Sequence, residues 1–445
     1  MLLRGHQSAR AQVQWNGVRT HPSLQLIRSL ARKPPSMFLI GSPGRKDGNL
    51  SPGAAQLPSV VRADSCPPRL QCTLTPLRSP LALDASQVSL LYKSNIQALE
   101  ISPAGLIGQV DVRTFLDVIA EIGRGDASTA WTVGIINGAN WMAATIFPEE
   151  TQQEVFGTEG GARVTGVLAP RQCTVQRVDG GYLIKEGKWG FNSGSYHSNW
   201  VELGIPLLNE RGEVVDQGLA LLPAQDVERL NDWNVIGMQG TGSTSVAVQN
   251  KFVPDRRITS MHQSTEGDYL SKNLRDEAEY RYAFVPFLAI MLDFPILGAV
   301  RTMLDLLLER LPSRGIQYTW YTKQAEATIT HLQVAEATAK IDAAQLFIER
   351  AVDDIESWAQ RGEYMEYMNR ARVRMDTGYA ARLLFEAADI IVEASGGSFA
   401  TAHNPMNHFW RDVRTGTLHA MLNPSTNLEL YGRLLCGQPA NTPLV

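Results

Sequence analysis

The chain of 445 residues carries 41 Lys+Arg against 45 Asp+Glu, a formal net charge of −4, and 44% hydrophobic residues. That apolar fraction can bury a large core, and the length suggests two or three structural domains. An acidic body without a dense basic stripe excludes a nucleic-acid binder. The longest apolar run, Phe284 to Leu292, falls far short of the roughly 18 residues that read as a membrane span.

Charge is unevenly placed. Residues 1–90 hold eleven basic and three acidic side chains with ten of the 23 prolines, so this segment is +8 and the remainder −12. Residues 1–46 contain no Asp or Glu, the composition of a mitochondrial-type transit peptide, but Gly17 and Pro22 interrupt the helix one would need. A Pro/Ser/Gly tract over residues 34–80 should not pack. Residues 1–86 are therefore read as a disordered, basic, proline-rich leader, with mitochondrial targeting the lesser alternative to a cytoplasmic protein. Four cysteines (Cys66, Cys72, Cys173, Cys436) without a CxxC give no disulfide framework. His403 and His408 are five apart around Pro405, which spoils the spacing of a metal pair, so no metal is expected.

Helical periodicity begins after Gln87. Val112 to Trp141 reads as two helices broken at Gly123 and Gly125, with Asp126 or Ser128 able to cap the second. From Val164 to Ile258 short β-branched runs (Val175–Val178, Tyr182–Lys185, Trp200–Ile205, Leu219–Leu222, Ser245–Phe252) alternate with turns such as Asp179-Gly180-Gly181. Long helices return over Leu288–Leu311, Lys323–Arg361 and Tyr364–Ser395. The expected domains are a helical one over 87–162, incomplete at its start, a β-barrel over 163–262 and a helical bundle over 263–445.

Several strings in this order resemble the acyl-CoA dehydrogenase superfamily, and within it the two-component flavin-dependent monooxygenases. They are Gly125-Asp126-Ala127-Ser128-Thr129-Ala130-Trp131, Gly187-Lys188-Trp189-Gly190-Phe191-Asn192-Ser193-Gly194, Gly237-Met238-Gln239-Gly240-Thr241-Gly242-Ser243, and Trp410-Arg411-Asp412-Val413 with His419. The resemblance covers about residues 90–437. It implies an acyl-CoA dehydrogenase-like fold with an N-terminal α-helical domain, a central β-barrel and a C-terminal four-helix bundle. The activity implied is that of an oxygenase component, which passes one oxygen from a flavin C4a-hydroperoxide to a small aromatic or phenolic substrate. Reduced FAD or FMN would come from a separate reductase, since no GxGxxG dinucleotide fingerprint opens a helix here. A homotetramer or dimer is also implied, with neither nucleic acid nor membrane as partner.

A dehydrogenase of this superfamily would need a carboxylate base, yet Val413 to Leu428 offers none before Glu429. His419 stands there instead, to hydrogen-bond or deprotonate the substrate. The alternatives are a dehydrogenase with its Glu elsewhere, or oxygenation of an amine or thioether. By resemblance Trp131 walls the isoalloxazine, and Val167 and Leu168 run along its pyrimidine edge. Phe191, Asn192, Ser193 and Gly194 form the turn against the ring, with the Ser193 hydroxyl near N5 or C4a. Thr241, Gly242 and Ser243 line the ring pocket or cradle phosphate, and Gly396 and Gly397 receive the dinucleotide. Asn140, Trp141 and His197 are assigned to the substrate pocket. Without the resemblance, Trp131 would be core, Ser193 an ordinary strand-end serine, and Arg411-Asp412 a structural ion pair.

Overall fold

Asp126 separates the first two helices of the computed structural model, which describes residues 111–158 and 161–445. The leader over 1–86 and the start of the 87–162 segment lie outside the described residues. Asp126 is extended (φ −160°, ψ 119°), which ends α1 (Val112–Gly125), and its carboxylate accepts the Thr129 N–H at 2.7 Å to start α2 (Ala127–Thr145). Of the two rival caps, Asp126 therefore takes the role. α1 buries Leu116, Ile119, Ala120 and Gly123 along one face, whereas α2 is buried nearly all round. Small residues make that burial possible: a Cβ on Gly138 would sit 2.5 Å from Met291 Cε. The short α3 (Glu149–Phe156) follows.

The β region is built from β1 (Val164–Val167), β2 (Gln172–Val178), β3 (Gly181–Trp189), β4 (Trp200–Leu208), β5 (Val214–Pro223), β6 (Glu228–Arg229), β7 (Val246–Pro254) and β8 (Ile258–Ser260). They form two four-stranded sheets, β1-β4-β5-β8 and β2-β3-β7-β6. β1 runs parallel to β4, with Val164 opposite Trp200, and the remaining pairs are antiparallel. Among the described residues no ladder joins the sheet edges, so the barrel expected from the sequence is not closed. Strand alternation explains the arrangement. Val201, Leu203 and Ile205 enter a core shared with Ile184, Trp189 and Val248 of the other sheet. Trp200, Leu219 and Leu221 belong instead to the core made with the helices.

Beyond α4 (Met261–Thr265) come α5 (Phe284–Ile290), α6 (Asp293–Arg310), α7 (Thr328–Gln360), α8 (Tyr367–Ser395), α9 (Pro405–Thr417) and α10 (Pro424–Leu435). α7 and α8 pack along their length through small and branched residues, Ala337, Ala344 and Ile348 from one and Ala380, Leu384 and Ala387 from the other. The helical stretch Phe284–Arg310 corrects the sequence expectation on membranes. Its mean hydropathy of 1.7 over 18 residues would suit a bilayer, but 94% of that window is buried inside the protein. It is a core helix.

Leu384 has no exposed surface. Leu384→Ala should destabilise the chain by about 2–5 kcal/mol, read as a lower urea midpoint at unchanged slope.

Candidate active site

Trp131 on α2 is where four distant segments meet. Its Nε1–H donates to Ser193 Oγ at 3.2 Å, and Ser193 Oγ lies 2.8 Å from Ser243 Oγ. Ser243 Oγ is in turn 2.6 Å from Thr241 Oγ1, which donates to the Met238 carbonyl at 2.8 Å. On another side, the Trp131 and His419 rings stand edge to face with centroids 5.7 Å apart. Trp131, Ser193, Thr241, Ser243 and His419 are thus brought together from positions nearly 290 residues apart.

Backbone conformation places the serines. After β3 ends, Phe191 and Gly194 take positive φ (64° and 75°), and Met238 and Gly242 do the same (both 54°) in the facing loop. The two turns are tied by Gly194 N–H to Thr241 O at 2.8 Å and Asn192 N–H to Thr244 O at 3.2 Å. A Cβ on Gly194 would meet Thr132 Cγ2 at 3.2 Å and Thr165 Cγ2 at 3.3 Å, so glycine lets this turn press onto α2. The Asn192 carboxamide is fully buried with neither its oxygen nor its nitrogen partnered.

The loop carrying Thr241 and Ser243 is gripped from α9. Asp412 accepts the Met238 N–H at 2.6 Å and the Ser128 hydroxyl at 3.2 Å. Arg411 donates to the Ile236 carbonyl at 2.9 Å, so the adjacent Arg and Asp hold the loop rather than pairing with each other. His408, one turn earlier, sits 3.3 Å from Asp126 and 3.6 Å from Asp412. The bond to Asp126 and the two negative charges raise the His408 imidazole above its ordinary value of 6.5. Burial pushes the Asp412 carboxyl up to about 6. The three ligand atoms lie within 4.8 Å of one another, a grouping that could hold a metal ion. Their charges are already balanced by the bridging imidazole and the N–H groups of Thr129 and Met238.

His419 follows α9, and its Nδ1 accepts the Met421 N–H at 3.2 Å. Dense surrounding protein, with Arg374 adding its charge, lowers the imidazole to about 4, yet the ring surface is exposed. His419 is thus flanked by protein and still open to solvent. In the neutral ring, occupation of Nδ1 leaves the proton on Nε2. The group offered to a ligand is a donor, which suits the hydrogen-bonding half of the role expected of this residue.

Other assignments fare differently. Asn140 is spent on structure: its amide donates to Ala162 O at 3.1 Å and accepts Val164 N–H at 2.9 Å, fastening α2 to β1. Trp141 is core, its indole bonded to Glu279 O at 2.7 Å and packed on Phe287 with centroids 4.8 Å apart. His197 is exposed, and the protein packed around it, followed by the charges of Arg163 and Arg229, lowers its imidazole below the ordinary value. Val167 turns toward the core between the sheets, and the Leu168 carbonyl accepts from Gln217. The Phe191 ring is 65% exposed, against Trp233 and beneath Arg171. Gly396 (φ 62°) and Gly397 form a separate turn after α8, where Arg310 and Arg314 donate to Ser398 Oγ at 2.9 and 3.0 Å. Met238, Ser128 and His408 were missed as site residues because their contacts with Asp412 or Asp126 join segments that no local pattern links. Glu202 on β4, outside these contacts, is buried with both oxygens unpartnered, and burial raises its carboxyl well above the usual carboxylate range.

Asp412→Ala strands the buried Met238 N–H and should cost about 1–3 kcal/mol in chemical denaturation, while Asp412→Asn, which keeps an acceptor, should cost less. A raised folded-state pKa makes the His408 contribution full below pH 6.5 and lost as pH climbs through that raised value. The difference in melting temperature between the unmodified chain and His408→Ala should accordingly be largest below pH 6.5 and shrink at alkaline pH.

Comparison with known proteins identifies the family. Residues 290–424 match the family model for the acyl-CoA dehydrogenase C-terminal domain. A pigment production hydroxylase from Rhodococcus sp. (strain ATCC 21145) is 30% identical over 341 residues, 74% of this chain and 84% of the relative. The oxygenase subunit HsaA of a flavin-dependent monooxygenase from Rhodococcus jostii (strain RHA1) is 29% identical over 76% of this chain and 87% of its own length. XiaF from Streptomyces sp., solved in complex with FADH2 and glycerol, superposes with a TM-score of 0.75 at 30% identity, covering 81% of this chain and 90% of XiaF. With 30% identity over 84% of one such relative and a superposition covering 81% of this chain, the chain belongs to the oxygenase components of two-component flavin-dependent monooxygenases, on the acyl-CoA dehydrogenase-like fold.

Proposed function

We propose that the chain takes reduced FAD or FMN from a separate reductase and inserts one oxygen atom into a small aromatic substrate. The observation that carries this is the packing of an imidazole, rather than a carboxylate, against Trp131 beside Ser193. Glu429, the first carboxylate after Val413, stands exposed on α10 and pairs with Arg433 at 3.9 Å. A dehydrogenase would need its proton acceptor at the site.

The residues present fit a flavin. A hydroxyl trio and an indole line one side, the unpartnered Asn192 carboxamide lies in the same turn, and the backbone turns admit close approach. When bound, the reduced flavin supplies the electrons that activate O2. Trp131 would orient the ring and exclude water from its side, Ser193 would hold a ring nitrogen, and His419 Nε2–H would donate to a ligand oxygen. The cationic turn at Gly396–Ala400, with Arg310 and Arg314, suits the phosphates of a dinucleotide. In this reading residues 87–162 and 163–262 act as the helical and β domains around the flavin, and 263–445 as a bundle with a four-helix core. The fully exposed Tyr318 and Trp320, with Leu332 and Leu346 on the outer side of α7, support a dimer or tetramer.

Mixing the chain and reduced flavin with oxygenated buffer in a stopped-flow instrument should give a transient near-ultraviolet absorbance before oxidised flavin appears. His419→Ala should cut product yield about 10²-fold with reduced-flavin affinity nearly unchanged. Bleaching of a tightly held oxidised flavin by an acyl-CoA thioester would instead establish a dehydrogenase.

A further inference from the structure

The hydroxyl chain beside Trp131 has a direction, and the direction has a consequence for ligand choice. Each Ser or Thr hydroxyl owns one proton. Met238 O can only accept, so the bond at 2.8 Å takes the Thr241 proton. Ser243 must then donate to Thr241 across 2.6 Å, and Ser193 must donate to Ser243 across 2.8 Å. Trp131 Nε1–H can only donate, and it fills one lone pair of Ser193 Oγ at 3.2 Å. Ser193 therefore has no proton left for a ligand, and what remains is one lone pair.

We infer that Trp131, Thr241 and Ser243 set Ser193 as an acceptor and so make the site select reduced over oxidised flavin. Trp131, Thr241 and Ser243 act as positioning residues. The inference rests on the flavin reading above. A reduced isoalloxazine carries an N–H on its central ring where the oxidised ring has a bare nitrogen lone pair. The N–H meets the Ser193 lone pair; the bare nitrogen meets a second lone pair and is repelled. The chain can be reversed, with Thr241 donating to Ser243, Ser243 to Ser193, and Ser193 to the ligand. Reversal gives up the Thr241 bond to Met238 O, and one net hydrogen bond is a factor of about fivefold in affinity. Met238 O keeps its bond from Trp233 Nε1 at 3.2 Å either way, so the carbonyl is not stranded and reversal stays within reach.

The test is anaerobic titration of the full chain with FAD and FMN, each oxidised and dithionite-reduced, by flavin fluorescence and absorbance. Ser243→Ala frees the Ser193 proton, and Thr241→Val frees that of Ser243. Either should lower the ratio of oxidised to reduced dissociation constants about fivefold, mainly through tighter oxidised binding. By linkage, a fivefold change lowers the two-electron potential of the bound flavin by about 20 mV. Thr241→Ser keeps the hydroxyl and should restore the ratio. If both affinities fall together with the ratio unchanged in Ser243→Ala and Thr241→Val, the residues merely support the fold and the inference is overturned while the flavin reading stands. An unmodified chain that binds neither flavin in either state would overturn that reading, and the inference with it.

Discussion

Asp412 accepts the backbone N–H of Met238, a non-glycine residue held in the left-handed region, and the geometry of the site depends on that bond. Left-handed backbone costs an L-residue roughly 1–2 kcal/mol, so the conformation persists only where something compensates. The carboxylate is buried, which is itself unfavourable, and the cost is met by three groups: the Met238 N–H, the Ser128 hydroxyl and the His408 imidazole. Once Met238 is fixed, its carbonyl fixes Thr241, and the order of the hydroxyls up to Trp131 follows. The chemistry is thus assembled from an anchor on α9, a loop between β6 and β7, a turn after β3, and the side of α2.

This layout also explains why the β region stops at two sheets. The turn after β3 and the loop before β7 bond to one another through Gly194 and Thr241 and press onto α2, which places helix, not a further strand, against them. The helix-facing residues Trp200, Leu219 and Leu221 commit one face of β1-β4-β5-β8 to the helical core. A sheet with one face toward helices and the other toward a partner sheet needs no closure to hide its apolar residues.

Local signals carried the elements well. Spacing narrowed the cap of α2 to Asp126 or Ser128, of which Asp126 takes the role, and the Asp179-Gly180-Gly181 turn lies between β2 and β3. Trp131, Ser193 and His419 had no local signal of function and came from resemblance to a family. What no local rule could show was the grip of Asp412 on Ser128, 284 positions away, or that Asn140 would spend its amide on the start of β1. Trp141 illustrates the same limit. Ten residues after Trp131 on one helix, it points into a cluster of Tyr269, Tyr282, Phe284 and Phe287, and only the packing of α5 against α2 reveals it as core. The apolar stretch beginning at Phe284 was underestimated because its Pro and charged residues break a continuous run without lowering its average.

That buried stretch poses a problem of timing during synthesis. Phe284–Arg310 is as oily as a bilayer-crossing helix, and α1, which packs against its Gly298, precedes it. Much of its remaining cover, α8 and α9, is encoded later, ending at Thr417. At roughly 5–20 residues per second, the ribosome needs on the order of 5–20 seconds to deliver it. For that interval the nascent chain carries an apolar segment whose later cover has not yet been made. The vectorial order of the helices, rather than the finished core, makes the middle of translation the hazardous stage in this protein's life.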